Sequence, residues 1–192
     1  KNKLLNLIKK LELTLSNIKR PWPDTAHFTL AMLYIDIGKS QIGYNILQDV
    51  LNDYPKHSMA LLNSGNFHFL REDYKNALKF YNIAIKQLKY QHEHEHEHEH
   101  EYEYEYEPSN ESASESTLIP TDEYLNCAMT MCNVAQCHRE REEFHKAEIT
   151  FEEIIVYLKQ AKIFKVLPSS PSTDSYHRGL ELFANINLFA IK

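Results

Sequence analysis

The feature that most constrains this chain is a pair of small residues twelve positions apart, which occurs three times. The pairs are Ala31 and Gly43, Gly65 and Ala77, and Ala135 and Ala147. The interval from Gly43 to Ala77 is 34 residues, a period typical of repeats built from two helices. Two antiparallel helices approach closely only where each offers a small side chain. The pattern therefore predicts three helical hairpins, and Leu at any of these six positions should push its hairpin apart.

Large residues recur around each small pair, and a short polar stretch separates its two members. The polar stretches lie at 36–40, 71–73 and 139–143, the length that a tight connection between antiparallel helices needs. Each unit is therefore predicted as helix, turn, helix. The residues expected to fill the core around the pairs are Leu30, Tyr34, Leu47, Val50, Leu61, His68, Tyr81, Ala84, Met131, Val134, His138, Phe151 and Ile154.

The middle unit has the sequence L-L-N-S-G-N-F-H-F-L-R-E-D-Y-K-N-A-L-K-F-Y-N-I-A-I and resembles the tetratricopeptide repeat family. The resemblance extends directly over 24–90 and 128–160. His27, Leu61 and Met131 stand where the family has an early Trp, and the closing Pro occurs only as Pro55. The resemblance implies an all-α solenoid of about three full helical-hairpin repeats plus flanking helices, interrupted by a low-complexity insert.

Apolar helical faces flank the three units. The first runs from Leu4 to Ile18 and stops before Pro21, which ends a helix. In the last helix, Phe183 and Ala184 fit the first-helix pattern, so we predict half of a fourth repeat there. The whole of 1–192 is then one solenoid segment, divided into a flanking helix at 3–20, repeats at 24–57, 58–90 and 124–167, an insert at 91–122 and the partial repeat at 174–192.

The insert begins with alternating His and Glu from His92 and continues with alternating Tyr and Glu. Such a tract has nothing to bury and is expected to be disordered or partly ordered. A passive repeat expansion is the first interpretation. Alternatives are metal binding by five His on one side of an extended strand, and docking of the acidic tract on a basic partner. The matches to H-E-x-x-H follow from the dipeptide repeat and lack the cleft and third ligand of a protease site.

Several classes of function find no support in the composition. The tract contributes ten Glu to a net charge of −6, so the rest of the chain carries +4, too little to predict nucleic-acid binding. No glycine-rich phosphate loop occurs, and no apolar run is long enough to span a bilayer. We expect no membrane association, no metal, no cofactor and no catalytic residues within the segment.

Three cysteines, Cys127, Cys132 and Cys137, lie in one predicted helix. A step of five residues turns a helix by about 500°, so the sulfurs do not share a face as metal ligands would. An odd number of thiols in one helix is typical of small buried residues in a reducing environment. The sequence therefore predicts an intracellular protein of the cytoplasm or nucleus.

The family resemblance implies that the first helices of successive units line a concave groove for a protein or peptide partner. Asn63 and Asn133 hold the same repeat position, and Asn66 and Gln136 hold the position three residues later. A side-chain amide both donates and accepts, so a row of them can bind an extended peptide backbone. The alternative is that Asn is abundant here and tolerated on exposed faces. The predicted groove residues are Asn63, Asn66, Asn133, Gln136, Phe28, Met32, Leu62 and Phe69.

The resemblance implies a protein–protein interaction scaffold, within a larger chain or a multi-subunit complex. An architectural subunit without an exchangeable peptide is the main alternative, because the order of L-L-N-S-G-N-F-H-F, an acidic interruption and E-E-F-H-K-A-E is similar to the repeat scaffold of the Paf-type transcription elongation complex. A third interpretation places a catalytic domain outside the segment.

Overall fold

The computed structural model describes residues 2–101, 122–163 and 171–191, and these residues form α-helices without any strand. Hydrophobic periodicity and the polar turns place the helices where the repeat pattern predicts them. Their bounds are α1 Asn2–Ser16, α2 Asp24–Asp36, α3 Ser40–Asp53, α4 Ser58–Phe69, α5 Tyr74–Glu101, α6 Asp122–Glu140, α7 Phe144–Ile163 and α8 Pro171–Ile191. The predicted all-α, helical-hairpin fold class is confirmed.

Two compact units make up the chain, Lys1–Ala84 and Ile85–Lys192. The first holds α1 to α4 and the beginning of α5. In it α1 packs on α2, α2 on α3, and α3 on α4. The second holds the rest of α5 and α6 to α8, with α6 on α7 and α8 against both. Neighbouring helices along the chain are therefore neighbours in space within each unit, as short connections require.

The α2–α3 hairpin closes where its two helices offer small residues. A Cβ added to Gly43 would lie 2.7 Å from the carbonyl oxygen of Ala31 and 2.5 Å from Cγ1 of Ile35. No real side chain tolerates such distances, so the backbones can approach this closely only because position 43 is Gly. Leu47 and Val50 complete a core cluster with Ala31 and are fully buried.

The α4–α5 hairpin uses its glycine differently. A Cβ on Gly65 would lie 2.5 Å from both Cδ1 and Cε1 of Tyr81, so the missing side chain makes room for an aromatic ring. In the α6–α7 hairpin, Ala135 and Ala147 are both fully buried and share a core cluster with Phe151. All six predicted small residues lie in helices and are buried, which confirms the packing expected from the repeat.

The turn inside each hairpin has one repeated geometry. A residue in the left-handed region ends the first helix: Gly38 at φ 85°, Glu72 at φ 61° and Glu142 at φ 60°. The next residue donates its N–H to the carbonyl five positions back, at 2.9, 3.0 and 2.8 Å respectively, which is a common helix C-terminal cap. Glu72 and Glu142 adopt this left-handed conformation, which only Gly adopts without strain. The position in the hairpin therefore determines the cap, and the residue type does not.

Some helix bounds differ from the prediction. α1 ends at Ser16, before the predicted bound at 20, because Ser16 Oγ and Asn17 Nδ2 both donate to the Leu13 carbonyl, at 2.8 and 2.9 Å, in competition with the backbone. α5 continues through Glu101, eleven residues into the range assigned to the insert. The remainder of the insert, 102–121, and the predicted end of α7, 164–167, lie outside the described residues.

Candidate partner-binding site

Among the predicted groove residues of the first unit, the apolar ones have unequal exposure. Phe28 and Met32 on α2 are half-buried, and the Phe28 ring lies 5.1 Å from the His57 ring, centroid to centroid. Phe69 is half-buried and packs edge-on to Tyr74 at 5.4 Å. Leu62 was predicted on the groove but is only 4% exposed. Leu62 lies in a core cluster with Leu61 and Ala84, so it offers little surface to a partner.

The two asparagines of α4 are used in different ways. Asn63 is half-buried and donates from Nδ2 to the Met59 carbonyl, one turn back, at 2.8 Å. Its amide plane is therefore held by its own helix. Asn66 accepts a hydrogen bond from the Tyr81 hydroxyl through Oδ1 at 2.8 Å. The Asn66 oxygen thus serves the α4–α5 hairpin.

In the second unit, Asn133 and Gln136 lie on α6 and are both half-buried. Gln136 donates from Nε2 to Glu140 Oε1 at 2.6 Å in a solvent-exposed hydrogen bond. Asn66 and Gln136 therefore occupy one repeat position yet bind different partners. The side-chain amide at this repeat position therefore has a different hydrogen-bonding role in each repeat.

The packing of α8 adds a residue that sequence reasoning missed. In the first unit the core cluster of Ala31, Leu47 and Val50 is completed by Ala60 of the following first helix. In the second unit the matching cluster of Ala135, Phe151 and Ile154 contains Ala184. Ala184 thus occupies the repeat position of Ala60, whereas the sequence pattern had placed it at that of Ala31.

This register places Asn187 at the repeat position of Asn63 and Asn133. Asn187 donates from Nδ2 to the carbonyl of Phe183, one turn back, at 2.8 Å, the same bond that Asn63 makes. Its Oδ1 accepts from the Arg139 guanidinium. The sequence does contain a signal for this position, because a small residue lies three positions before each of the three asparagines. The segments are A-L-L-N, T-M-C-N and A-N-I-N.

Beside these residues the second unit has an open cleft of about 620 Å³. It lies where the end of α6 and the start of α7 meet the end of α8. Arg139 contributes a cation and Phe144 an exposed aromatic ring, which is 51% exposed. The lining residues are Arg139, Glu140, Glu142, Phe144, Ala190 and Ile191.

A His–carboxylate pair bridges the turn of two hairpins. His68 Nδ1 lies 3.0 Å from Asp73 Oδ2, and His138 Nδ1 lies 2.7 Å from Glu143 Oε2. A carboxylate only accepts, so each Nδ1 carries the proton. The bond from His138, with help from Arg141, lowers the pKa of Glu143 to about 2. These pairs tie the end of one helix to the start of the next.

The first of these pairs extends to a third group. The Tyr44 hydroxyl lies 3.0 Å from His68 Nε2, and with Nδ1 donating to Asp73 a neutral His68 accepts from Tyr44. The arrangement has the order of a catalytic hydroxyl, His and acid. However, burial raises the pKa of Tyr44, and its ring is stacked on Phe67 at 4.0 Å. The chain of bonds joins the first and second repeats.

The three cysteines are buried, as the sequence predicts. Burial raises the pKa of Cys132 and of Cys137 to about 12, which keeps both as neutral thiols at ordinary pH. Where side chains are described, no three His, Cys, Asp or Glu come together to hold a metal ion. Over 91–101 the backbone is helical, so the extended strand proposed for metal binding by the His residues is wrong there.

No described helix combines the length and apolar character needed to cross a bilayer.

No family model matches the chain, and no curated protein matches it. Solved structures do. The MamA RS-1 ArsTM double mutant is 13% identical with a TM-score of 0.52, over 95% of this chain and 85% of that one. Kinesin light chain nearly identical TPR-like repeats of Podosopora anserina are 13% identical with a TM-score of 0.56, over 99% and 86%. A single-residue variant of the same repeats is also 13% identical, with a TM-score of 0.57 over 99% and 85%. The likeness shows that the chain has the fold of TPR-like repeat proteins.

Proposed function

We propose that the chain is a protein–protein interaction scaffold whose first helices bind an extended segment of a partner protein. The observation that supports this best is the oriented amide at one repeat position. Asn63 and Asn187 make the same bond from Nδ2 to the carbonyl one turn back, at 2.8 Å in each case. A side chain held by its own backbone is positioned in advance of any partner, which lowers the entropy lost on binding.

The held amide leaves its oxygen to accept a hydrogen bond. Arg139 illustrates this use, because its guanidinium donates to Oδ1 of Asn187. We infer that Asn63 accepts a main-chain N–H group of the bound segment in the same manner. Asn133 holds the same repeat position in the second unit. Recognition of a peptide backbone depends little on the partner's side chains, so selectivity would come from the neighbouring apolar residues Phe28 and Met32.

The matched test uses two double variants. Asn63→Ala with Asn133→Ala removes the amide at this repeat position from both units, whereas Asn52→Ala with Asn82→Ala removes two exposed amides from second helices and serves as the control. Proteins retained by the tagged chain are quantified by mass spectrometry. We expect the first variant to lose one partner at unchanged melting temperature and the control to keep it. Retention of every partner by both variants would contradict the proposal.

A peptide experiment tests the chemistry directly. Phage-displayed random peptides are selected on the wild-type chain, and one selected peptide is resynthesised with a single N-methyl group at each position in turn. We expect a position at which methylation weakens binding about tenfold, the effect of losing one hydrogen bond of about 1.4 kcal/mol. The Asn63→Ala variant should be insensitive to methylation at that position. A peptide that binds equally well whichever amide is methylated excludes the main-chain acceptor role.

The architectural alternative has one observation in its favour. Ile149 and Val156 on α7 are 43% and 54% exposed and line a cleft of about 430 Å³ with Lys89 and Met131. This second-helix surface would be covered in a large assembly. If Ile149→Asp removes the partners and the asparagine variant does not, the architectural role is supported.

We further propose that the described segment has no catalytic role and requires no cofactor. Cys137 and His138 are adjacent, but the thiol is buried with its pKa raised to about 12, and His138 Nδ1 is bonded to Glu143. Three buried neutral thiols also support an intracellular protein, in the cytoplasm or nucleus, because reducing compartments preserve them.

A further inference from the structure

His57 lies between the start of α4 and Phe28, one of the two residues proposed to select the partner. Its ring is 5.1 Å from the Phe28 ring, centroid to centroid, and the two planes are inclined by 31°. Phe28 also packs against the core cluster that contains Ala60 of α4. The position of Phe28 therefore depends on how α4 begins, and His57 immediately precedes the first turn of that helix.

His57 caps α4 with its imidazole ring. Its Nδ1 accepts a hydrogen bond from the Ala60 N–H at 3.2 Å, one of the donors that the first turn of a helix leaves without an internal acceptor. Ala60 is fully buried, so this N–H depends on the cap. An imidazolium carries a proton on both nitrogens and cannot accept a hydrogen bond. The cap therefore exists only while His57 is neutral.

The surroundings of His57 disfavour its charged form. Burial is the largest effect and lowers the pKa of His57 from 6.5, against the opposing effects of the Asp24 carboxylate on α2 and of a bond to its own backbone. The start of α4 carries the positive end of a helix dipole, which repels an imidazolium. Because this pKa is lower in the folded chain than in the unfolded one, the neutral ring stabilises the fold. The contribution is complete above pH 6.5 and is lost as the pH falls.

We propose that His57 is a pH-dependent switch for the partner-binding surface of the first unit. Near neutral pH the ring caps α4 and packs on Phe28, and the surface is formed. In mild acid His57 takes a proton, the bond from Ala60 breaks, and Phe28 loses the ring that positions it. The proposal rests on the scaffold function, because it describes how that same surface is regulated.

A second histidine of the same unit also resists protonation, and its effect has to be measured separately. His27 is 1% exposed, and its Nδ1 has no hydrogen-bond partner among the described residues. Burial and Arg20 lower the pKa of His27, against the opposing effect of Asp49 and Asp53 on α3. The His27 ring packs edge-on to Trp22 at 4.8 Å, the single Trp of the chain. The fluorescence of Trp22 therefore reports the protonation of His27.

The first measurement follows the cap without any ligand. The chemical shift of the Ala60 N–H is recorded by NMR on the isotope-labelled chain between about pH 7.5 and about pH 5, on either side of the usual histidine pKa. We expect the resonance to move upfield as the bond is lost. It should stay in place in His57→Asn, because Asn caps a helix and does not titrate. A resonance that does not titrate in the wild type, or that titrates equally in His57→Asn, overturns the proposal.

The second measurement uses a peptide selected by phage display on the wild-type chain that contains no His or acidic residue. Its affinity should be about fivefold weaker at about pH 5 than at about pH 7.5, the factor expected for the loss of one N-cap. In His57→Asn the affinity should be equal at the two pH values. The matched controls are His145→Asn, at an exposed position of α7, and His27→Phe, and both should keep the fivefold difference.

The outcomes separate this proposal from the scaffold function. A selection that yields no peptide contradicts the scaffold function and, with it, the regulation of partner binding. A peptide that binds with equal affinity at both pH values contradicts the switch alone. A difference that persists in His57→Asn, or that follows Trp22 fluorescence and disappears in His27→Phe, also overturns the role of His57.

Discussion

Repeat 2 and repeat 3 place a side-chain amide at the same position of their first helix, Asn66 and Gln136. In repeat 2 the amide accepts from the buried Tyr81 hydroxyl and belongs to the hairpin. In repeat 3 the ring at the matching position is Phe151, which has no hydroxyl, and Gln136 donates to the exposed Glu140. The comparison teaches that one repeat position can hold a hairpin together in one unit and make an exposed hydrogen bond in the next.

The largest expected effect concerns the space that Gly65 leaves for Tyr81. Gly65→Ala would place a Cβ 2.5 Å from two ring atoms, and Tyr81 is fully buried and hydrogen-bonded, so the ring cannot turn away. We expect a loss of about 1–3 kcal/mol in the free energy of unfolding, measured by urea denaturation.

The matched control for that change is Gly179→Ala. A Cβ at Gly179 meets nothing within 4 Å, and Ala stabilises a helix by about 0.5–1 kcal/mol relative to Gly. The two substitutions should therefore have opposite signs. A Gly65→Ala chain as stable as wild type would show that the α4–α5 contact is not close-packed.

A smaller difference should separate the two amides. Asn66→Ala removes the oxygen that accepts from the buried Tyr81 hydroxyl, which costs about 1–2 kcal/mol. Gln136→Ala removes an exposed bond and should change the free energy of unfolding by less than about 0.5 kcal/mol. Urea unfolding of both variants beside wild type measures the contrast. Equal losses would mean that Gln136 also supports its hairpin, and the distinction between the repeats would fail.

The smallest effect concerns a feature that the two repeats share, the His–carboxylate pair across the turn. The bond from His138 lowers the pKa of Glu143 from 4.5 to about 2. A carboxyl whose pKa is lower in the folded than in the unfolded chain stabilises the fold above the unfolded value. This contribution should be complete above pH 4.5 and disappear as the pH falls towards 2.

The measurement compares wild type with Glu143→Gln in urea unfolding from about pH 7 to about pH 2. The wild type should be the more stable near neutral pH, and the difference should shrink through the interval from pH 4.5 to pH 2. Asp73, whose pKa is lowered chiefly by Asn76 and also by His68, permits the same comparison in repeat 2. A difference that is constant with pH would show that Glu143 acts by packing and not by charge.

Part of the candidate site could be predicted from the sequence and part could not. The repeat position shared by Asn63 and Asn133 follows from their spacing relative to the small residues. The burial of Leu62 does not follow, because the groove and the core positions are adjacent on one helix and differ by about 100° of rotation. Asn187 was missed because α8 has two alanines and a phenylalanine that fit the repeat pattern in more than one register.

The sequence by itself determined the helical hairpins, their turns and the small residues at their closest contacts, because these depend on local spacing and side-chain volume. Tertiary structure alone decided the register of α8 and the use of Asn66 and Gln136. These features depend on the side chain that another helix contributes. It is Tyr81 for Asn66, Phe151 in the repeat of Gln136, and Arg139 for Asn187 on α8. The linear sequence does not show which side chains face each other, because that is determined only when the helices pack.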